Sequence, residues 1–388
     1  MRITIVSEQR FFVDKNNNYY TTAPDFFDKI ADLYGEKLTI LNLVGRVVYT
    51  DNIEQLFKIG INSKLNYYSI DNFNGIKDFM KKLINISLSL QKIIFKSDVV
   101  ILKLPFLTSI PAFVFCKIYR KIIVSQIVGD PQETLNSISG NKKVGKLAFL
   151  VMKFIIINSD IRFAVSSYLS KKYGSKNKKI KISNESSLLQ EHFSPPVMKQ
   201  ILSPIKILFV GRISKEKGIN LLIEAFNIVK EKYDLNLTII GDGPQITELK
   251  ELCIKLNIMN LIEFKGKIAY GDTLLKEYRE ADIFVLPSYS EGLGKVVLEA
   301  MANSTNVIAS NVGGLPDIVR NNETGLLFKV GQVNDLVEKI EYYLENPKEM
   351  QKMKEIAYKF VKENHSFNNQ RMIMSKAIIS YYSNKKNF

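Results

Sequence analysis

From residue 205 onward, short apolar runs return at intervals filled by helix-like segments, and this alternation is the strongest constraint on how the chain folds. The runs KILFVG, LNLTIIG, IEFKG, IFVLPS, NVIAS and GLLF read as strands. Between them lie helical patterns over 218–232, 245–256 and 272–280, a helix carrying Glu299, and a short helix from Pro316. Strands that alternate with helices imply crossover connections, and so a parallel sheet with helices on both faces. Three helical segments close the sequence, at about 333–345, 347–363 and 367–383.

The first half repeats the pattern. Strands are expected at 2–6, 38–43, 98–102, 122–128, 161–165 and 179–182, with helices over 75–95, 108–119 and 144–158. From 185 to 204 the periodicity fails, and SPP at 194–196 with Ser203-Pro204 reads as a linker. A length of 388 residues suits two domains. The expected fold is α/β, with two Rossmann-like doubly wound domains facing across a cleft. Open sheets of this kind bind ligands at the carboxyl ends of their strands, so the chemistry is expected there.

Composition removes several classes. The two cysteines, Cys116 and Cys253, lie far apart with no C-x-x-C pattern, which excludes a disulfide framework and a cysteine zinc site; both are expected as small core residues. RITIV at the amino terminus reads as a strand rather than a signal peptide, so a cytoplasmic location is expected. The apolar run from Val99 to Tyr119 is broken by Lys103, Pro105, Pro111 and Lys117 and reads as strand plus helix, not a membrane span. A dehydrogenase would need G-x-G-x-x-G after the first strand, where SEQRFF stands instead.

Charge is uneven. The chain carries a net +15; residues 1–200 hold 29 basic against 16 acidic side chains, a balance of +13, and residues 201–388 hold 25 against 23. The first half is thus the basic one. Without a recognition motif this does not make a nucleic-acid binder. It fits either a lysine-rich composition or an anionic partner such as a membrane surface, the second favoured by lysine-bordered apolar stretches such as KKVGKLAFLVMKF at 142–154.

The strand ends of the second half carry ligand-like residues. KILFVG leads to Gly211-Arg212 and then to Lys217 and Gly218, LNLTIIG to Gly241-Asp242-Gly243, and IFVLPS to Glu291-Gly292-Leu293-Gly294. Helix amino termini favour anions, and cations beside glycines point to a diphosphate. Glu299 sits early in the helix that begins near Gly294, and its side chain is expected to lean back towards the edge that holds Glu291. An ionised carboxylate suits a vicinal diol, as on a sugar.

These residues resemble a known family. GRISKEKG at 211–218, GDGP at 241–244, SEGLGKVVLEAMA at 290–302 and NVGGLPDIV with TGLLF at 311–328 are similar to the retaining nucleotide-sugar glycosyltransferases of family 4, which have the two-domain GT-B fold. The resemblance implies an acceptor-binding domain over 1–190, a donor-binding domain over 205–365, and a last helix over 366–388 that crosses back to the first domain. It implies that Arg212 and Lys217 bind the donor diphosphate, Glu291 the transferred sugar and Glu299 the ribose, with Arg212, Lys217 and Glu291 catalytic. Gly211, Gly218, Gly241, Gly243, Gly292, Leu293 and Gly294 complete the donor edge.

The first half departs from that family pattern. Relatives carry a glycine-rich loop after the first strand and a later histidine; here Ser7-Glu8-Gln9-Arg10 follows the strand, and the only histidines are His192 and His365. Asp130, in QIVGDP, stands at the corner where the histidine is expected, and Asn184 resembles an Asn-Gly position with Glu185 in place of the glycine. Asp130, Asn184 and Ser7 are the acceptor-side candidates. No D-x-D pair appears, so no metal and no cofactor is expected, the nucleotide sugar being a co-substrate. Expected partners are that donor, a glycan or lipid-linked acceptor in cell-surface polysaccharide synthesis, and an inner membrane surface. The rival reading is a non-catalytic subunit of the same fold that binds a nucleotide sugar or a partner.

Overall fold

The computed structural model describes all residues except 22–26, 51–52, 54–55, 60–63, 131, 133–141, 176–177, 184–185, 187, 198–202 and 387–388. The chain divides into two compact units, Met1–Glu185 with Gln370–Phe388, and Ser186–Asn369.

In the second unit every apolar run expected as a strand forms one: β10 (Ile205–Val210), β11 (Leu235–Ile240), β12 (Ile262–Gly266), β13 (Ile283–Leu286), β14 (Asn306–Ser310) and β15 (Leu326–Phe328). All β13 and β14 residues are buried, as befits strands covered on both faces. The sheet is parallel, in the order β12-β11-β10-β13-β14-β15. The chain therefore lays β11 and β12 on one side of β10, then crosses over and lays β13, β14 and β15 on the other. Connections from β10 and β13 leave in opposite directions, which opens a crevice at their carboxyl ends. Helices Ile219–Val229, Ile246–Lys255, Asp272–Glu280, Lys295–Ala302, Val333–Glu345 and Pro347–Asn364 pack around the sheet, close to their expected bounds. Phe209, Phe226 and Phe284, each fully buried, are among its large anchors, and truncating one to Ala costs about 3–5 kcal/mol.

The stretch expected as a linker is partly structured. Leu188 is buried and accepts the N–H of Phe367 at 2.8 Å, and the N–H of Ser194 donates to Ala302 at 2.9 Å. Residues from Ser186 thus pack with the second unit; their contacts are long-range, so no local periodicity shows them.

The first unit holds β1 (Arg2–Val13), β2 (Tyr19–Thr21), β3 (Ile40–Tyr49), β4 (Phe57–Lys58), β5 (Leu65–Ile70), β6 (Val99–Leu104), β7 (Ile122–Ile127), β8 (Ile161–Ala164) and β9 (Lys181–Ile182). Its parallel part runs β5-β3-β1-β6-β7-β8-β9. Three expectations need correction here. β1 does not end at Val6: the register with β3 shifts between Val6 and Arg10 and pairing resumes to Val13. The polar residues Ser7 to Gln9 form the irregularity and hide the continuation, and Gly45 opposite accommodates it, since a Cβ there would lie 2.6 Å from Gln9 O. β5, missed because LNYYSI has few aliphatic residues, extends the parallel row. β2 and β4 pair antiparallel, so the sheet is mixed rather than wholly parallel.

Helices Gly75–Phe95, Ser109–Ile118 and Lys142–Ile157 match the expected segments. Cys116 and Cys253 are both fully buried core residues, and burial pushes their thiols up, to about 12 and about 11. The last helix, Phe367–Lys386, buries Met374 and Ile378; Tyr381 Oη donates to Asp160 Oδ1 at 2.9 Å and Ser183 Oγ to Gln370 O at 2.9 Å. Among the described residues no helix is long and apolar enough to cross a membrane.

Candidate active site

The crevice between β10 and β13 is where the sequence motifs meet. After β10 the chain passes Gly211 and Arg212, makes a short 3-10 turn over Lys215–Lys217, and enters the next helix through Gly218. Gly218 has φ +62°, and a Cβ would stand 2.3 Å from Pro287 O, so only glycine lets this turn lie against the end of β13. The two loops are also joined by Tyr289 N–H donating to Glu216 O at 2.8 Å. This brings Lys217 to Glu291: Lys217 Nζ donates to Glu291 Oε1 at 2.5 Å, and Ser288 Oγ donates to the same oxygen at 2.9 Å. Their side chains are 21% and 10% exposed, so a largely desolvated ion pair marks the crevice.

The other glycines of the motifs serve loop packing. A Cβ on Gly241 would lie 1.8 Å from Gly211 O, one on Gly243 2.1 Å from Ile213 O, and one on Gly313 1.9 Å from Glu291 O. Backbone bonds confirm the stitching: Ile213 N–H to Asp242 O at 2.9 Å, and Gly314 N–H to Glu291 O at 3.2 Å. Gly241, Gly243 and Gly313 thus let the β10, β11, β13 and β14 loops touch one another. Gly294, with φ +83°, opens the helix Lys295–Ala302 beneath Leu315, and Leu293 is buried. Gly292 lies in the same loop, two residues before that helix opening.

Arg212 follows Gly211 at the same edge. Its side chain is exposed and, among the described residues, makes no hydrogen bond or ion pair; at Glu216 burial opposes ionisation, but a Ser214 contact and the charges of Arg212 and Lys217 outweigh it and lower the pKa.

Glu299 sits in the helix Lys295–Ala302, which Gly294 opens. It is buried, and its Oε2 accepts the hydroxyl of Tyr278 at 2.9 Å, from the neighbouring helix Asp272–Glu280. Burial pushes its pKa up to about 7, against the pull of Tyr278 and Lys295. Among the described residues no hydrogen bond links it to Lys217 or Glu291. Its partner was missed because Tyr278 reads as one more apolar position beside Leu274 and Leu275. Ser288 was missed as part of a strand end.

A family model described as Glycosyl transferases group 1 matches residues 197–360. Protein CapJ of Staphylococcus aureus is 32% identical over 321 residues, covering 80% of this chain and 79% of that protein. The chain belongs to the group 1 glycosyltransferases. Among solved structures, sucrose-phosphate synthase from Thermosynechococcus elongatus superposes with a TM-score of 0.78 at 17% identity, covering 99% of both chains. HepE of Anabaena, solved with UDP and glucose, superposes with a TM-score of 0.72 at 14% identity, covering 98% of this chain and 100% of that one. Both likenesses are of fold, and they make it GT-B, with two Rossmann-like domains.

Of the three acceptor-side candidates, two prove to be internally engaged. Asp130 is buried and takes hydrogen bonds from Tyr173 Oη at 2.8 Å, Tyr168 Oη at 3.1 Å, Gln132 N–H at 3.0 Å and Lys172 Nζ. Burial opposes its ionisation, but Lys172 and Tyr173 outweigh that and hold the carboxyl below the usual range. It braces its corner of the domain rather than offering a lone pair to an acceptor. Ser7 is buried and donates to Val44 O at 3.1 Å within the β1 irregularity, so it too is spent on the fold. Asn184 lies outside the described residues. His192 Nδ1 bonds with the Tyr270 hydroxyl at 2.9 Å, and His365 is buried against Phe360.

A residue the sequence reading passed over stands at the first sheet's own reversal point, between β1 and β6. Glu8 Oε1 accepts the N–H groups of Leu107, at 2.7 Å, and Thr108, at 3.3 Å, where the helix Ser109–Ile118 begins. Burial raises its pKa, opposed by the charge of Arg46 and these two N–H groups. A carboxylate of the chain therefore already fills the anion position at this helix start.

Proposed function

We propose that the chain is a retaining, metal-independent hexosyltransferase of family 4, which moves a sugar from a nucleoside-diphosphate sugar to an acceptor hydroxyl in bacterial cell-surface polysaccharide synthesis. The observation that carries this reading is the Lys217–Glu291 pair, joined by Ser288, in the crevice between β10 and β13. A cation and a carboxylate held together there suit a ligand that is anionic at one end and a polyol at the other. The UDP and glucose seen with HepE support the same ligand class.

In this reading Arg212 and Lys217 take the diphosphate. An ammonium has three donors, so Lys217 can keep Glu291 and still reach a phosphate oxygen. Glu291 holds a hydroxyl of the sugar, and Glu299 the ribose. As the bond between the anomeric carbon and the phosphate oxygen breaks, negative charge grows on the diphosphate, where fixed cations and N–H groups lower the barrier without reorganising. The acceptor oxygen bonds to the same carbon, and its proton leaves with the nucleoside diphosphate.

A screen of nucleotide sugars for thermal stabilisation tests donor binding, because a ligand that binds only the folded state raises its stability by mass action. Release of nucleoside diphosphate from the stabilising donor then tests catalysis. Stabilisation with no release, with or without glycan acceptors, would favour a non-catalytic binding subunit; no stabilisation by any nucleotide sugar would overturn both readings.

A further inference from the structure

Three helices of the first unit, Gly75–Phe95, Ser109–Ile118 and Lys142–Ile157, connect β5 to β6, β6 to β7 and β7 to β8. Each connection steps the same way across the sheet, so right-handed crossovers put all three on one face. Side chains tie them into a row. Gln91 Nε2 donates to Tyr119 Oη at 2.8 Å, the Phe95 and Tyr119 rings meet edge to face at 5.3 Å, and Phe113 and Phe154 do so at 6.0 Å.

The inner side of each helix is core, with Ile86 and Leu90, Ala112 and Cys116, and Met152 and Ile156 buried. The outer side of a surface helix is ordinarily polar. Here it is not. On the first helix Met80, Ile84 and Leu88, one turn apart, are 59%, 74% and 51% exposed. On the third, Leu147, Leu150 and Phe154 are 63%, 55% and 61% exposed and share one stripe. Val114 and Ile118 continue the surface on the middle helix, between these two. Exposed apolar side chains gathered on three neighbouring helices mark a site of interaction.

Charge selects the occupant. Segments 75–96, 109–121 and 142–157 together hold twelve Lys and Arg and one acid, Asp78. A second copy of the chain would bring the same positive charge to the contact and be repelled. Apolar stripes bordered by lysine are the composition of helices that lie in the headgroup region of an anionic membrane. We infer that this face of the first unit docks on an anionic lipid bilayer, with Ile84, Leu88, Leu147, Leu150 and Phe154 entering the headgroup boundary and lysines such as Lys146 and Lys153 meeting lipid phosphates. The inference stands apart from the glycosyl-transfer reading, since docking needs neither donor nor acceptor.

Co-sedimentation of the full chain with phosphatidylglycerol-containing vesicles and with pure phosphatidylcholine vesicles tests it. Binding is expected to the first and to be weak to the second, and to weaken with salt. Lys146→Ala and Lys153→Ala should each lower partition roughly fivefold at low salt. The triple change Ile84→Ser, Leu147→Ser, Leu150→Ser should abolish binding while leaving the thermal melt intact, because all three side chains are exposed. Equal binding to both vesicle types, binding unchanged in the triple variant, or no binding to either would overturn the inference. So would a dimer in sedimentation velocity that the triple variant disperses without any vesicle binding.

Discussion

The ammonium of Lys217 and the carboxylate of Glu291 are 74 residues apart in sequence and 2.5 Å apart in space. Their meeting depends on two connections that leave β10 and β13 in opposite directions, so the pair is a product of the topology. If Lys217 stabilises charge developing on a diphosphate, Lys217→Ala lowers kcat/KM about 10²–10³-fold, by analogy with loss of one oxyanion donor. The change should fall mainly on kcat. Steady-state transfer rates would decide, and near-wild-type turnover in a chain lacking both Lys217 and Arg212 would remove the catalytic assignment.

The Arg212 side chain, exposed and without a hydrogen bond among the described residues, should contribute to donor binding without holding the fold. Arg212→Ala is expected to leave the unfolding free energy within about 0.5 kcal/mol, while the thermal shift produced by the donor shrinks. A large fall in stability would mean that the side chain has a structural role instead.

Glu299 makes stability depend on pH. Its ordinary pKa of 4.5 is raised in the fold to about 7, so between those values the unfolded chain has lost a proton that the folded chain keeps. Its contribution is greatest below about 4.5 and declines as pH rises to about 7, on the order of 3 kcal/mol in all. His365 acts oppositely: burial depresses its pKa from 6.5 to about 4, so its contribution is present above 6.5 and lost as pH falls towards 4. Urea titrations of Glu299→Gln against the parent chain at several pH values separate the two. Parallel curves for both proteins would show that the buried carboxyl does not titrate as described.

Gly313→Ala should cost about 2 kcal/mol or more, since its Cβ would lie 1.9 Å from Glu291 O and its φ is +57°. Glu291 would move with its loop, so donor affinity should fall together with Tm. Gly266→Ala is the control: its φ is also positive, +67°, but no atom lies within 4 Å, so only the backbone strain of about 1 kcal/mol remains. Equal losses in both variants would show that loop contact does not matter.

Asp130→Ala should destabilise the first unit by about 2–3 kcal/mol, because Lys172 and two tyrosine hydroxyls lose a shared acceptor. Chemical denaturation measures this. Lost transfer with unchanged stability would return Asp130 to the acceptor site.

Much of the second unit was legible because its central strands are buried on both faces and several of its helices start at glycine or proline, as at Gly218, Gly271, Gly294 and Pro347. KILFVG and IFVLPS need no alternation to be recognised, and the charged residues that follow them are placed by strand direction alone. Tyr278 was illegible as the partner of Glu299, since a tyrosine on an apolar helix face carries no local sign of what its hydroxyl meets. The first unit was harder for a physical reason. Its β1 runs through a polar irregularity at Ser7 to Gln9, and its short β2 and β4 take their stability from neighbours rather than from their own sequence. Asp130 stands as an acceptor-side candidate in the sequence because nothing near it there announces Tyr168, Lys172 and Tyr173 folding back upon it.

The closing helix has a consequence for biogenesis. Residues 370–386 belong to the first unit, where Tyr381 meets Asp160 and Tyr382 lies 3.5 Å from Asp98, yet they are translated after the whole second unit. During synthesis the earlier unit must wait, with a patch of its interior unsealed, until residues 370–386 emerge. A fragment ending at residue 185 would keep that wound open permanently, and chaperone dependence should track it.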